Sequence, residues 1–248
     1  MLIQPTLDAL ALLKLHGLAQ ALRDQTVDPN AQQLSFEERL GLLVDREVTY
    51  RDNRRLARLW KACQAKDRTA VLEDLDYRDR KGLDRSQMAS LASGDYVRRG
   101  QNVLIDGTTG SGKTFLGCAL AQGACRMGLS AWYTRAPRLF EELSLSHADG
   151  VFRKRLTALA RIQLIVIDDF GIAPVGPRER SDLLELLDDR VGSRSTVICS
   201  QLPPAQWHDY LNDPTVADAI MDRLIHGSHK VHLEARESMR GRKYGSKA

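Results

Sequence analysis

Cysteine is scarce in this chain, and the little there is carries no paired motif. The four cysteines, Cys63, Cys118, Cys125 and Cys199, show no C-x-x-C spacing among 248 residues. They read as small buried hydrophobes in a reducing compartment. Long apolar runs are also missing. No stretch of about 18 apolar residues occurs, which excludes a helical membrane span. The start, Met1-Leu2-Ile3-Gln4-Pro5, lacks the basic opening and apolar run of a signal peptide, so a cytoplasmic location is expected. Excess charge of one sign is small. Thirty-six Lys and Arg against 32 Asp and Glu leave a net +4, too little to establish a nucleic-acid partner by itself. The apolar fraction, 43%, supports a real core, and the length fits one large domain or one domain plus a small helical one.

What is present is a phosphate-loop motif without a mismatch: Gly107-Thr108-Thr109-Gly110-Ser111-Gly112-Lys113-Thr114. Asn102 to Ile105 before it are β-prone, and Phe115 to Cys125 after it read as a helix. Strand, glycine-rich turn and helix are the context the motif requires. Glycines let successive N–H groups turn toward phosphate oxygens, and the helix N-terminus adds partial positive charge there. Lys113 is a mobile point charge for the outer phosphates. Thr114 offers a hydroxyl ligand for Mg²⁺, which takes its other ligands from carboxylates, phosphates and water.

A second motif follows about 55 residues later: Leu164-Ile165-Val166-Ile167-Asp168-Asp169-Phe170-Gly171. A continuous apolar strand predicts a parallel sheet covered on both faces. Acids at its C-terminal end lie where open α/β sheets bind ligands. Asp168 fits a Mg²⁺-holding Walker B aspartate, and Asp169 fits the carboxylate that orients and deprotonates a water. Ser195 to Gln201 reads as another buried strand, with Ser200 and Gln201 beside the γ-phosphate or the water. Ala217 to Ile225 reads as a helix bearing Arg223, whose guanidinium suits either a neighbouring subunit's phosphates or a surface ion pair.

The first 75 residues read as helical. Apolar spacing predicts a helix over Thr6 to Arg23, and Ser35 with Glu38 predicts a capped start for another that runs to about Tyr50. In the next stretch Leu56, Leu59, Trp60 and Cys63 share one face. Arg51, Arg54, Arg55, Arg58 and Lys61 share another, a basic stripe that suits DNA phosphates or a solvated bundle face. A second basic helix, Val151 to Arg161, carries Arg153, Lys154 and Arg155 with the same two readings, and His147 reads as a surface turn residue. A connector near residues 70–85 separates a helical domain (1–75) from an ATPase domain (76–235), and a basic tail (236–248) follows.

Several of these landmarks together resemble one family. They are Leu83-Asp84-Arg85-Ser86, Asn102-Val103 before the phosphate loop, Ile167 to Gly171, Ser200-Gln201-Leu202-Pro203 before Trp207-His208, and Met221 to Ser228. This pattern resembles the IstB-like ATPases, the transposition helper proteins of IS21-type insertion sequences. They are relatives of the DnaC helicase loaders within the AAA+ class. The resemblance implies a three-layer P-loop NTPase core with a mainly parallel sheet, a small helical N-terminal domain, and ATP with Mg²⁺ as cofactors. It implies assembly as a homo-oligomer on duplex DNA, largely independent of base sequence, together with a transposase encoded by the same element. By position it makes Ser200 or Gln201 the first sensor, Arg223 a finger acting on the neighbouring subunit, and Arg240 a second sensor. Three departures qualify this. Thr108 stands where relatives often have proline, which should change loop rigidity rather than phosphate contact. Asp169 stands where most of the class has glutamate, so slow hydrolysis is expected. Only 25 residues follow Arg223, so the helical lid should be truncated or absent and the nucleotide covered by a neighbouring subunit. The alternatives are a replicative helicase loader, a P-loop kinase (although no lid-type arginine cluster is visible), and an ATP-binding scaffold without turnover.

Overall fold

The computed structural model describes residues 3–75, 77, 80–81 and 83–235. They fall into two compact units, one ending at Arg58 and one beginning at Leu59.

The first unit contains α1 (Ile3–Leu12), α2 (His16–Val27) and the larger part of α3 (Phe36–Cys63). The helix expected over Thr6 to Arg23 is broken in two. Lys14 takes a left-handed φ of 60°, and the Leu15 N–H turns back to the Leu10 carbonyl to close α1. Neither glycine nor proline marks this break. The start of α2 has no side-chain cap of its own; instead the buried carboxylate of Glu47 on α3 accepts the Leu18 N–H at 3.0 Å. Gly17 makes the approach possible, because a Cβ there would lie 2.6 Å from the Tyr50 Cβ. The expected capping box is present: Glu38 accepts the Ser35 N–H at 2.8 Å and Ser35 Oγ accepts the Glu38 N–H at 3.2 Å. The two stretches read separately, to Tyr50 and from Arg51, form one continuous helix of 28 residues.

The second unit is built on six strands: β1 (Arg80–Lys81), β2 (Val103–Gly107), β3 (Ala131–Arg135), β4 (Leu164–Phe170), β5 (Ser195–Ser200) and β6 (His229–Ala235). Their order is β1-β6-β2-β5-β4-β3. All pairings are parallel except that of β1 with β6. Every residue of β2 and β5 is buried, as the continuous apolar runs required.

Helices cover both faces. Against one face lie α4 (Arg85–Ala92), α5 (Asp95–Arg98) and the phosphate-loop helix α6 (Lys113–Arg126), with a core of Met88, Leu91, Tyr96, Leu116, Leu120 and Val166 among others. Against the other lie α7 (Ala136–Ala148), α8 (Phe152–Ala160), α9 (Pro177–Asp188), α10 (Trp207–Leu211) and α11 (Pro214–Ile225), around Leu139, Leu143, Ile165, Leu183 and Trp207. This is the three-layer, mainly parallel α/β architecture expected.

The compact units do not divide where composition placed the boundary, between 75 and 76. Cys63, Ala65, Ala70 and Leu75 are buried in the core around α6, so the segment that reads as a connector belongs physically to the second unit. Residues 236–248, including Arg240, lie outside the described residues.

Candidate functional site

The sheet ends its parallel strands at one edge, and the motif residues meet there. β2 ends in Gly107, which has φ 145°; a Cβ on it would come 2.1 Å from the Leu233 carbonyl oxygen of β6. Glycine is therefore demanded here by the neighbouring strand as well as by any phosphate. Gly110 and Gly112 take φ of 80° and 100°, and α6 starts at Lys113. The Lys113 ammonium donates to the carbonyls of Gly107 and Thr108, both at 2.7 Å. Burial pulls its pKa down, while Asp168, Asp169 and Asp106 oppose that shift. Ser111 is fully buried, and its Oγ has no hydrogen-bond partner. A buried hydroxyl without a partner costs free energy unless a ligand supplies one.

Asp168 is 1% exposed and holds three donors. Its Oδ2 accepts from Thr114 Oγ1 at 2.8 Å and from the Tyr133 hydroxyl at 2.6 Å, and its Oδ1 accepts the Asp169 N–H at 2.9 Å. Burial, reinforced by the Asp168 charge, pushes the Tyr133 phenol well above its ordinary pKa, so it stays a donor. Thr114 and Asp168 present hard oxygen ligands side by side, a donor set that suits Mg²⁺. Among the described residues no cluster of three or more His, Cys, Asp or Glu side chains could hold a metal alone.

The β4–β5 register shifts between Ile167 and Phe170, and Asp169 takes φ 56°. Its Oδ2 accepts from Arg135 Nε at 2.5 Å. Beside it lies a cavity of about 130 Å³ lined by Ala136, Pro137, Phe140, Glu179 and Tyr210 among others. Sequence reasoning missed Tyr133 and Arg135. The pairing of β3 with β4 that sets Arg135 opposite Asp168 is not legible in the sequence.

The two sensor candidates have different surroundings. Ser200 is fully buried; its Oγ donates to the Phe170 carbonyl at 2.7 Å and accepts the Leu202 N–H at 3.0 Å, so it is committed to holding two strand ends together. Gln201 Oε1 accepts from Thr109 Oγ1 at 2.9 Å and so touches the phosphate loop.

Arg223 lies elsewhere. Its Nε pairs with Asp188, its Nη1 donates to the Ala219 carbonyl at 2.7 Å, and its own carbonyl accepts from Asn102 Nδ2 at 2.8 Å. Asn102 precedes β2, whereas the phosphate loop follows it. At about 3.3 Å per residue the five-residue strand separates them by roughly 16 Å. Asn102 also accepts the Thr196 N–H at 2.9 Å, which ties the end of α11 to β5.

The basic candidates are unequal. On α3, Arg51 pairs with Glu47 at 2.7 Å, and the Arg54 guanidinium lies 5.7 Å from the Tyr50 ring centre. Arg55, Arg58 and Lys61 are exposed. On α8, Arg153 and Lys154 are exposed, but Arg155 is paired with Glu142 and lies over Trp132. His147 is not a turn residue. It belongs to α7, stacks on Phe152 at 3.7 Å, and its Nε2 lies 3.0 Å from the buried Asp182 carboxylate. All four cysteines are buried and none forms a disulfide, and no described helix is long and apolar enough to cross a membrane.

The family model described as IstB-like ATP binding protein matches residues 8–247. An insertion sequence ATP-binding protein of Sinorhizobium fredii is 43% identical over 240 residues, covering 97% of both chains. That of insertion sequence IS1162 from Pseudomonas fluorescens is 50% identical over 203 residues, covering 82% of this chain and 88% of its own. Among solved structures, DnaI superposes with a TM-score of 0.56 at 22% identity, over 67% of this chain and 89% of its own. The DnaC helicase loader gives 0.54 at 17%, over 71% and 99%.

Proposed function

Because this chain belongs to the IstB-like ATP-binding proteins of insertion sequences, we propose that it hydrolyses ATP as the nucleotide-gated, DNA-binding helper of a partner transposase. The observation that carries the catalytic half is the Thr114–Asp168 hydrogen bond at 2.8 Å, which joins the phosphate loop to the acidic strand end.

The residues divide the work. Main-chain N–H groups from Gly107 to Thr114 would cradle the phosphates, and the orphaned Ser111 hydroxyl would gain a partner there. Lys113 would exchange the Gly107 and Thr108 carbonyls for the outer phosphates. Thr114 and Asp168 would hold Mg²⁺, which would supply charge neutralisation to the phosphates. Asp169 would take a proton from water as the water oxygen bonds to the γ-phosphorus. The bond from that phosphorus to the β,γ-bridging oxygen breaks, and ADP leaves with the electron pair. Gln201, through its contact with Thr109, is better placed than Ser200 to report the state of the loop.

The remainder is assembly. The Arg223 carbonyl is held by Asn102, at the end of β2 away from the phosphate loop, which supports a contact with nucleotide in a neighbouring subunit rather than in its own. ATP at such an interface would couple nucleotide state to oligomerisation. Oligomerisation would align the basic residues of α3 and α8, so that many weak phosphate contacts add by avidity. A helicase loader would use the same ATPase; the relatives at 43% and 50% identity are insertion-sequence proteins, which favours the transposition reading.

The test is nucleotide binding and phosphate release for the wild type, Lys113→Ala and Asp169→Asn. Lys113→Ala should lose ATP binding. Asp169→Asn should bind ATP and lose turnover by about a hundredfold or more, the contribution of a positioned base. Turnover that survives in Asp169→Asn would remove that residue from the chemistry.

A further inference from the structure

Asp168 is held from a side that neither motif contains. Tyr133, on the neighbouring strand β3, is 6% exposed and donates its hydroxyl to Asp168 Oδ2 at 2.6 Å. A hydroxyl this close to a carboxylate oxygen makes a charge-assisted hydrogen bond, one of the stronger kinds. The fold explains the reach. Tyr133 pairs with Val166, and Asp168 lies two residues further along β4, on the same face. At about 3.3 Å per residue that is roughly 7 Å, which the phenol ring and its hydroxyl span. A phenylalanine here would fill the same core space and stop short of the carboxylate.

The hydroxyl completes a set of constraints on Asp168. Oδ2 also accepts from Thr114 Oγ1 at 2.8 Å, and Oδ1 accepts the Asp169 N–H at 2.9 Å. The three donors differ in what else they serve. Thr114 stands at the start of α6, where the phosphates would bind, and Asp169 is the proposed base at the strand end. Tyr133 belongs to the packed core around α6, with Cys118, Leu120 and Val166. It is therefore the donor tied to the scaffold rather than to the nucleotide. Partners of this kind fix the orientation of a metal-binding carboxylate, and losing one weakens the metal more than the fold.

We propose that Tyr133 is a positioning residue for the Mg²⁺ site: its hydroxyl fixes the orientation of the Asp168 carboxylate and so sets how tightly Mg²⁺ is taken up with ATP. The proposal rests on the reading of Asp168 as a Mg²⁺ ligand.

The experiment measures ATP affinity by calorimetry across a Mg²⁺ titration, and again in EDTA, for the wild type, Tyr133→Phe, Tyr133→Met and Asp168→Asn. Mg²⁺ should tighten ATP binding to the wild type. Tyr133→Phe should need about ten to a hundred times more Mg²⁺ for half of that tightening, the cost of losing an outer partner of a ligand. Its affinity for ATP in EDTA should match the wild type. A tyrosine that serves packing alone would move both affinities together, or neither. Tyr133→Met also lacks the donor and should show the same shift, so the decision does not hang on the folding of one variant. A Mg²⁺ requirement that is unchanged or lower in the two Tyr133 variants, or a loss of affinity equal with and without the metal, would overturn the positioning role. If Asp168→Asn responds to Mg²⁺ as the wild type does, Asp168 is not a ligand and the reading beneath the proposal fails. The two failures are read from different variants.

Discussion

At the residue scale, the side chains that carry the proposed chemistry came from the motifs, and those that hold them did not. Lys113, Thr114, Asp168 and Asp169 are legible because phosphate binding demands their types at fixed spacing. Tyr133 and Arg135 reach the two aspartates only through the pairing of β3 with β4, across 35 and 34 positions, and no local pattern announces that. Ser200 and Gln201 looked equivalent in sequence; burial and hydrogen bonding separate them. A further pair at the same strand ends went unread. His232 Nδ1 lies 2.6 Å from Asp106 Oδ2, and this hydrogen bond raises the imidazole pKa above its ordinary 6.5. A pKa raised on folding adds stability below the unfolded value, and that stability is lost as pH rises through the folded value. The wild type should therefore melt at a higher temperature than His232→Gln at pH 6, with the gap closing by about pH 9. Thermal melts across that range check it; a gap that widens with pH would contradict it.

At the element scale, the best-read pieces were those whose function fixes their surroundings. β2, α6, β4 and β5 stand close to where strand–loop–helix logic put them. The break between α1 and α2 left no trace, because it falls on Lys14 rather than on a glycine or proline. β6 and α9 went unassigned. In β6 Val231 and Leu233 are buried between exposed Lys230, His232 and Glu234, an alternation that is a weak signal over so few residues. Yet β6 shapes the phosphate loop, since Leu233 pairs with Gly107 and its carbonyl occupies the space a Cβ would need. Gly107→Ala should consequently destabilise the protein without nucleotide, by about 3 kcal/mol as an overpacking cost. Urea unfolding of the nucleotide-free protein measures this. A change confined to ATP affinity would mean that Gly107 serves phosphate alone.

At the scale of the whole molecule, composition suggests a joint near residue 75, and the compact units part after Arg58. The mixed-charge stretch near residue 75 looks like a linker. The division falls inside α3, because burial of Cys63, Ala65, Ala70 and Leu75 draws that segment into the core of the second unit. A long helix shared by two units leaves no compositional mark where they part. The separation of Arg223 from its own phosphate loop is likewise a property of topology. It gives the central proposal its sharpest consequence: one subunit alone lacks a finger, so ATP should act by assembling subunits on DNA. The direct measurement is mass by light scattering after gel filtration, with duplex DNA and ATP, ADP or no nucleotide, for the wild type, Lys113→Ala and Arg223→Ala. Large assemblies should form only with ATP and DNA together, and both variants should lose them. A wild-type protein that stays monomeric and indifferent to DNA in every nucleotide state would contradict the nucleotide-gated switch.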